Sequence, residues 1–201
     1  IRNSYDYAIN KTISAIMNEL FDDKISDVVN SKILYGLKAS GGFNDEVAVV
    51  YAVVMTLVAS KKSNLKFKKL IIDVINNANE SGINSIDNYF INQNIDLKEI
   101  KLKLDYENSR KISYIHRIFN QLFYGPKLYE EIFKEKSQFS EKPLIDLDNI
   151  VLDDNLMSKL KTRFGNKIST VTGRGNFAFS YSMKNYLDNF DMKNSVFLED
   201  R

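Results

Sequence analysis

The run from Val47 to Ala59 constrains this chain more than any other feature: Val, Ala, Tyr, Met, Thr and Leu succeed one another without a single charge. It is too short to span a bilayer as a helix, which takes about 20 apolar residues. A helix that is apolar nearly all round has no face to offer water, so it belongs at the centre of a bundle. The residues before it supply a start signal. Asn44 can cap the first turn, and Asp45 and Glu46 place carboxylates where the helix dipole favours them.

Amphipathic segments surround this run. Ile9, Ile13, Ile16, Met17 and Leu20 recur at helical spacing, with Ser4 as a cap. A second helix is expected over about 25–38, ending in a break at Ser40-Gly41-Gly42-Phe43-Asn44. Phe67, Leu70, Ile71, Val74 and Ile75 form one apolar stripe, and Ile112, Ile115, Phe119 and Leu122 form another. Tyr124-Gly125-Pro126 reads as a turn before a short helix over 126–135. The polar, proline-containing stretch 136–148 reads as a link.

Beyond the link the pattern changes. Leu156, Met157, Leu160 and Phe164 mark a helix that Gly165 can stop, and the β-branched Ile168 to Thr172 reads as a strand. A helix over 176–189 and a short strand at Ser195 to Leu198 come next. Helix, strand, helix, strand is the order of a doubly wound unit with a parallel sheet. The expected class is therefore α/β: a mostly helical cap domain, a helix bundle over 1–140, joined to part of a doubly wound parallel, Rossmann-like core over 141–201.

Composition narrows the functions. The 28 basic residues are balanced by 26 acidic ones, and no basic stripe points to nucleic acid. The chain has no cysteine, which excludes a disulfide framework and thiolate metal sites and fits a reducing, cytoplasmic compartment. No segment reads as a signal peptide or a membrane anchor. The chain starts at Ile1 rather than Met and stops at Arg201, and it reads as a fragment.

The candidate site on physical grounds is the end of the Ile168–Thr172 strand. Ligands of open parallel sheets bind beyond the carboxyl ends of strands. Thr172 offers a hydroxyl there, Gly173 permits close backbone approach, and the next helix start presents free N–H groups. With Arg174 this corner suits a phosphate, although a plain turn needs the same glycine.

Val171-Thr172-Gly173-Arg174 resembles the second motif of the haloacid-dehalogenase-like hydrolases, a strand ending in Thr or Ser. Lys38-Ala-Ser-Gly41-Gly42-Phe43-Asn44 is similar to a Lys-x-x-Gly-Gly-Phe-Asn pattern in a phosphoglycolate-phosphatase-like subgroup, and Arg2-Asn3-Ser4-Tyr5 resembles the residues just after its first catalytic motif. The resemblance implies a Mg²⁺-dependent hydrolase, a phosphatase acting on a small phosphorylated metabolite through an aspartyl-phosphate. It implies Thr172, Gly173 and Arg174 on the substrate phosphate, and Lys38, Gly42, Phe43 and Asn44 as the cap loop that chooses substrates. The Asp-x-Asp nucleophile motif, the motif Lys and the acidic metal pair are absent from these 201 residues, so no catalytic and no metal residue is assigned.

Plainer readings stand beside these. Lys38 can be a solvated charge, Gly41-Gly42 a tight interhelix turn, and Phe43 a hydrophobic staple against Val47. His116, the sole histidine, reads as structural, since no Ser, Cys or metal-ligand partner is spaced around it. Lys61, Lys62, Lys66, Lys68 and Lys69 read as a solvated helix end, with attraction of a phosphorylated ligand as the minor alternative. The alternative function is a non-enzymatic helical protein-interaction module; a nucleotide- or nucleic-acid-binding protein is a third reading. Neither nucleic acid nor membrane is an expected partner, and homodimerisation stays open.

Overall fold

The apolar run becomes α3 (Glu46–Ser63), and every residue from Val47 to Ala59 is buried. Asp45, not Asn44, caps it: an Asp45 carboxylate oxygen accepts the Val47 N–H at 2.8 Å. Asn44 instead donates its side-chain amide to the Gly41 carbonyl at 3.3 Å. Asn64, in the left-handed conformation, ends the helix.

The protein is seen as a computed structural model that describes residues 2–108 and 112–143, together with the backbone of 168–169 and 196–197. Six further helices are formed among the described residues: α1 (Arg2–Phe21), α2 (Ser31–Lys38), α4 (Phe67–Asn77), α5 (Ile83–Asn92), α6 (Lys98–Leu104) and α7 (Tyr114–Phe133). Helix α3 packs against α1, α4, α5, α6 and α7, while α1 also lies along α7 and α2 along α4. Ile9, Ile13, Ile16 and Met17 of α1 are fully buried, as their spacing requires.

Three local readings need correction. Ser4 lies inside α1 rather than at its start. The second helix begins only at Ser31, because residues 22–30 form no helix and lie against α1. Asn10 holds that segment the way a neighbouring strand would, accepting the Val29 N–H at 2.8 Å and donating to the Val29 carbonyl at 3.0 Å. Ser14 donates to the Ile25 carbonyl at 2.7 Å. Ile112, assigned to the α7 stripe, lies before the helix and is exposed.

Gly125 breaks α7 with φ 74°, the break expected at Tyr124-Gly125-Pro126. A side chain there would meet Pro143 at 2.4 Å. The reason is that residues 134–143 fold back over α7. Gln121 accepts the Gln138 N–H at 2.6 Å, Glu130 accepts the Ser137 N–H at 3.2 Å, and Phe139 packs on the core. Lys11 and Glu141 tie this strap to α1 at 3.4 Å.

The expected α/β class with a doubly wound, Rossmann-like parallel core is overturned. The described fold is an all-helical bundle. Its strand content among the described residues is one parallel pairing of two residues with two, β1 (Ile168–Ser169) and β2 (Val196–Phe197). Two residues per strand give no sheet face for helices to cover, so no doubly wound core is present among the described residues.

Candidate functional site: an apolar groove between α5 and α6

Phe90 and Ile91 from the end of α5, Ile95 and Leu97 from the α5–α6 connection and Met55 from α3 line an open groove of about 530 Å³. It forms because the α5–α6 connection is short and because α6 is only two turns long, with Ile100 and Leu104 as its buried anchors. Ile91 stays 66% exposed at the rim. Across from it Lys98 also lines the groove, and Leu102, one turn along the same face of α6, is 79% exposed.

A polar network closes one end. The Tyr51 hydroxyl donates to Asp87 at 2.7 Å, and the Lys101 ammonium donates to the other Asp87 oxygen at 2.7 Å. Lys101 also lies 3.4 Å from Glu107. Burial raises the Tyr51 phenol above its ordinary value, and its bond to Asp87 adds to the shift. Lys101 is also raised, chiefly by the hydrogen bond to Asp87. These groups bind one another: the network ties α3, α5 and α6 together, and Asn94, Asp96 and Lys98 join Asp87 and Lys101 as the polar part of the groove lining.

The sequence-predicted cap loop has structural partners. Lys38 pairs with Glu46 at 3.0 Å, joining the end of α2 to the start of α3. Gly42 sits backbone to backbone on a neighbouring turn: a Cβ there would lie 2.2 Å from the Asn79 carbonyl and 2.5 Å from the Gly82 nitrogen. Phe43 is fully buried in the core that includes Val47. Thr172, Gly173 and Arg174 lie outside the described residues.

Sequence reasoning missed Ser113. It precedes His116 by three residues, and its Oγ lies 3.0 Å from the His116 Nδ1. A Ser–His contact invites a nucleophile reading. Ser113 is fully buried, however, and the pair occupies the N-cap and third positions of α7, with Tyr106 over the imidazole at 5.2 Å. The contact joins two side chains across the first turn of a packed helix start. The Ser-x-x-His spacing is the signal that could have revealed it.

No family model, curated protein or solved structure matches the chain. The all-helical bundle of the described residues, which has no doubly wound sheet core, overturns the haloacid-dehalogenase resemblance, and with it the reading of the parent protein as a phosphatase, a hydrolase of small phosphorylated metabolites. The described helices supply no core of that kind. Among the described residues no group of three or more His, Asp or Glu side chains is placed to hold a metal, so the donor set does not fit the implied Mg²⁺. Nor do the described residues build a site for a phosphorylated substrate: of the two lysines that line the groove, Lys101 is already engaged by Asp87 and Glu107, and Lys98 shares the lining with the carboxylates of Asp87 and Asp96. The physical reason for the false lead is visible at Gly42. A Gly-Gly turn between helices is demanded by close backbone approach alone, so a short glycine motif recurs without kinship. No helix among the described residues is long and apolar enough to cross a membrane.

Proposed function

We propose that this chain acts as a helical protein-interaction module, with the groove between α5 and α6 as its contact surface. One observation carries the reading: Ile91, which lines the groove, projects into solvent, and Leu102, one helical turn from the groove-lining Lys98, is exposed as well. Large apolar side chains clustered around a concavity are the pattern of helix-in-groove recognition, in which a partner's apolar residues fill the cleft. The seven helices supply the frame, since α3 provides one wall and the Tyr51–Asp87–Lys101 network holds α6 in position. The reading includes a cytoplasmic setting, where a cysteine-free chain has no need of disulfides.

A displayed random-peptide library panned against the wild-type chain tests it, with Ile91→Asp as the counter-target. Selected peptides are expected to lose at least about tenfold in affinity on the variant, the order of one buried anchor residue. Peptides that bind both proteins equally would place the contact surface elsewhere.

A further inference from the structure

The tertiary fold sets this groove beside a basic cluster that is distant in sequence. Residues 61–69 hold Lys61, Lys62, Lys66, Lys68 and Lys69 and no acid. Lys62, in the last turn of α3, donates its ammonium to the Asp96 carbonyl at 2.8 Å, and Asp96 lines the groove. The α3–α4 turn therefore abuts the α5–α6 connection. Of these lysines Lys61 is neutralised by Asp23 at 2.9 Å. Lys62 meets a carbonyl rather than a carboxylate. Lys66, Lys68, Lys69 and the groove-lining Lys98 make no ion pair among the described residues. The acids nearby are mostly committed: Asp87 to Lys101 and Glu99 to Lys103, leaving Asp96, whose side chain accepts the Lys98 backbone N–H. Leu65, half exposed, stands within the cluster.

From this arrangement we infer that the groove's occupant is an acidic amphipathic segment of a partner protein. Its apolar face fills the space over Met55, Phe90 and Ile95, and its carboxylates meet Lys62 and Lys98 at the rim. The apolar part of the lining, Met55, Phe90, Ile91, Ile95 and Leu97, argues for a peptide rather than a polyanion. A nucleic acid or an anionic membrane surface would use the lysines and leave an apolar groove with nothing to bury. The charge sets the partner's sign: complementary rims speed encounter and exclude basic segments, while the groove supplies the anchor. This inference rests on the interaction-module reading and adds the chemistry of the partner.

Two matched amphipathic helical peptides of about 20 residues, identical on the apolar face and carrying either Glu or Lys on the polar face, test it against the full chain by fluorescence anisotropy. The Glu peptide is expected to bind at least about tenfold tighter at low salt, and its advantage should shrink between about 50 and 300 mM salt, as screening over about one Debye length demands. Lys62→Glu/Lys98→Glu should reverse the order of the two peptides. Equal binding of both peptides, abolished by Ile91→Asp, would overturn the acidic partner while leaving the module intact. Binding of neither peptide, or of duplex DNA or phosphatidylserine vesicles in preference to the Glu peptide, would overturn the inference; the library selection then judges the module independently.

Discussion

Helices α3 and α6 are the two extremes of this molecule. Buried from Val47 to Ala59 and touching five other helices, α3 is held by burial on every side. By contrast α6 is a seven-residue helix with two buried anchors, Ile100 and Leu104, and it leans on the ion pairs of Lys101 with Asp87 and Glu107. Isolated helices of that length do not form in water, so its neighbours hold it in shape. The contrast shows where stability and recognition part company. Apolar surface is spent on cohesion around α3, and around α5 and α6 enough is left exposed to meet another molecule.

The largest effect should come from charging the cohesive side. Val53→Asp buries an unpaired carboxylate at a site with zero exposure, and we expect loss of the cooperative thermal transition, a cost of about 4 kcal/mol or more. A variant that kept its helical circular dichroism and melting profile would show that α3 is not the centre of the core.

Next come two glycines that leave no room for a Cβ. Gly42→Ala must push the 40–45 turn off Asn79 and Gly82, and Gly125→Ala must displace Pro143 from a residue at φ 74°. Each should cost about 2–3 kcal/mol in urea unfolding, since at Gly42 the neighbour is backbone with no rotamer to yield and at Gly125 it is the stiff Pro143 ring against a residue at positive φ. If Gly125→Ala were neutral, the strap over α7 would not hold its place in solution.

Tyr51→Phe probes the network that couples the two extremes, and about 1.5–2 kcal/mol is the expected loss for one hydrogen bond to a charged acceptor. It also has a pH signature. Tyr51 and Lys101 both have raised values in the folded state, so the fold keeps protons that the unfolded chain gives up above about pH 10. Stability from these groups is full below that pH and is lost as the pH rises beyond it. The urea midpoint should fall between about pH 9 and 11.5, and less steeply in Tyr51→Phe; parallel profiles would remove the network from the account.

The smallest effect on stability should come from the recognition side. Ile91→Asp and Leu102→Asp change exposed side chains and should stay within about 0.5 kcal/mol of the wild type. A larger loss from either would make the groove rim part of the core and would blur the contrast between α3 and α6.

Much of the helical frame was legible in the chain. The stripe in α1 and the Gly125-Pro126 break come from local spacing and backbone chemistry, and both are where the pattern put them. The candidate site was not legible. The groove takes Met55 from α3, Phe90 from α5 and Leu97 before α6, and no spacing within one segment relates those positions. The basic cluster could be seen at 61–69, but only the Lys62 contact to Asp96 puts it at the groove. The phosphatase reading failed for the complementary reason: Gly41-Gly42-Phe43-Asn44 looked like chemistry, while its glycine serves a backbone contact with residues 79 and 82.

By itself the sequence determined that Val47 to Ala59 is a helix and that it lies inside, because a helix with no polar face is stable only where every side is covered. Tertiary structure alone decided what stays uncovered. Which apolar side chains remain after packing, and which lysines stand beside them, depends on contacts between segments tens of residues apart, and local pattern carries no record of those contacts.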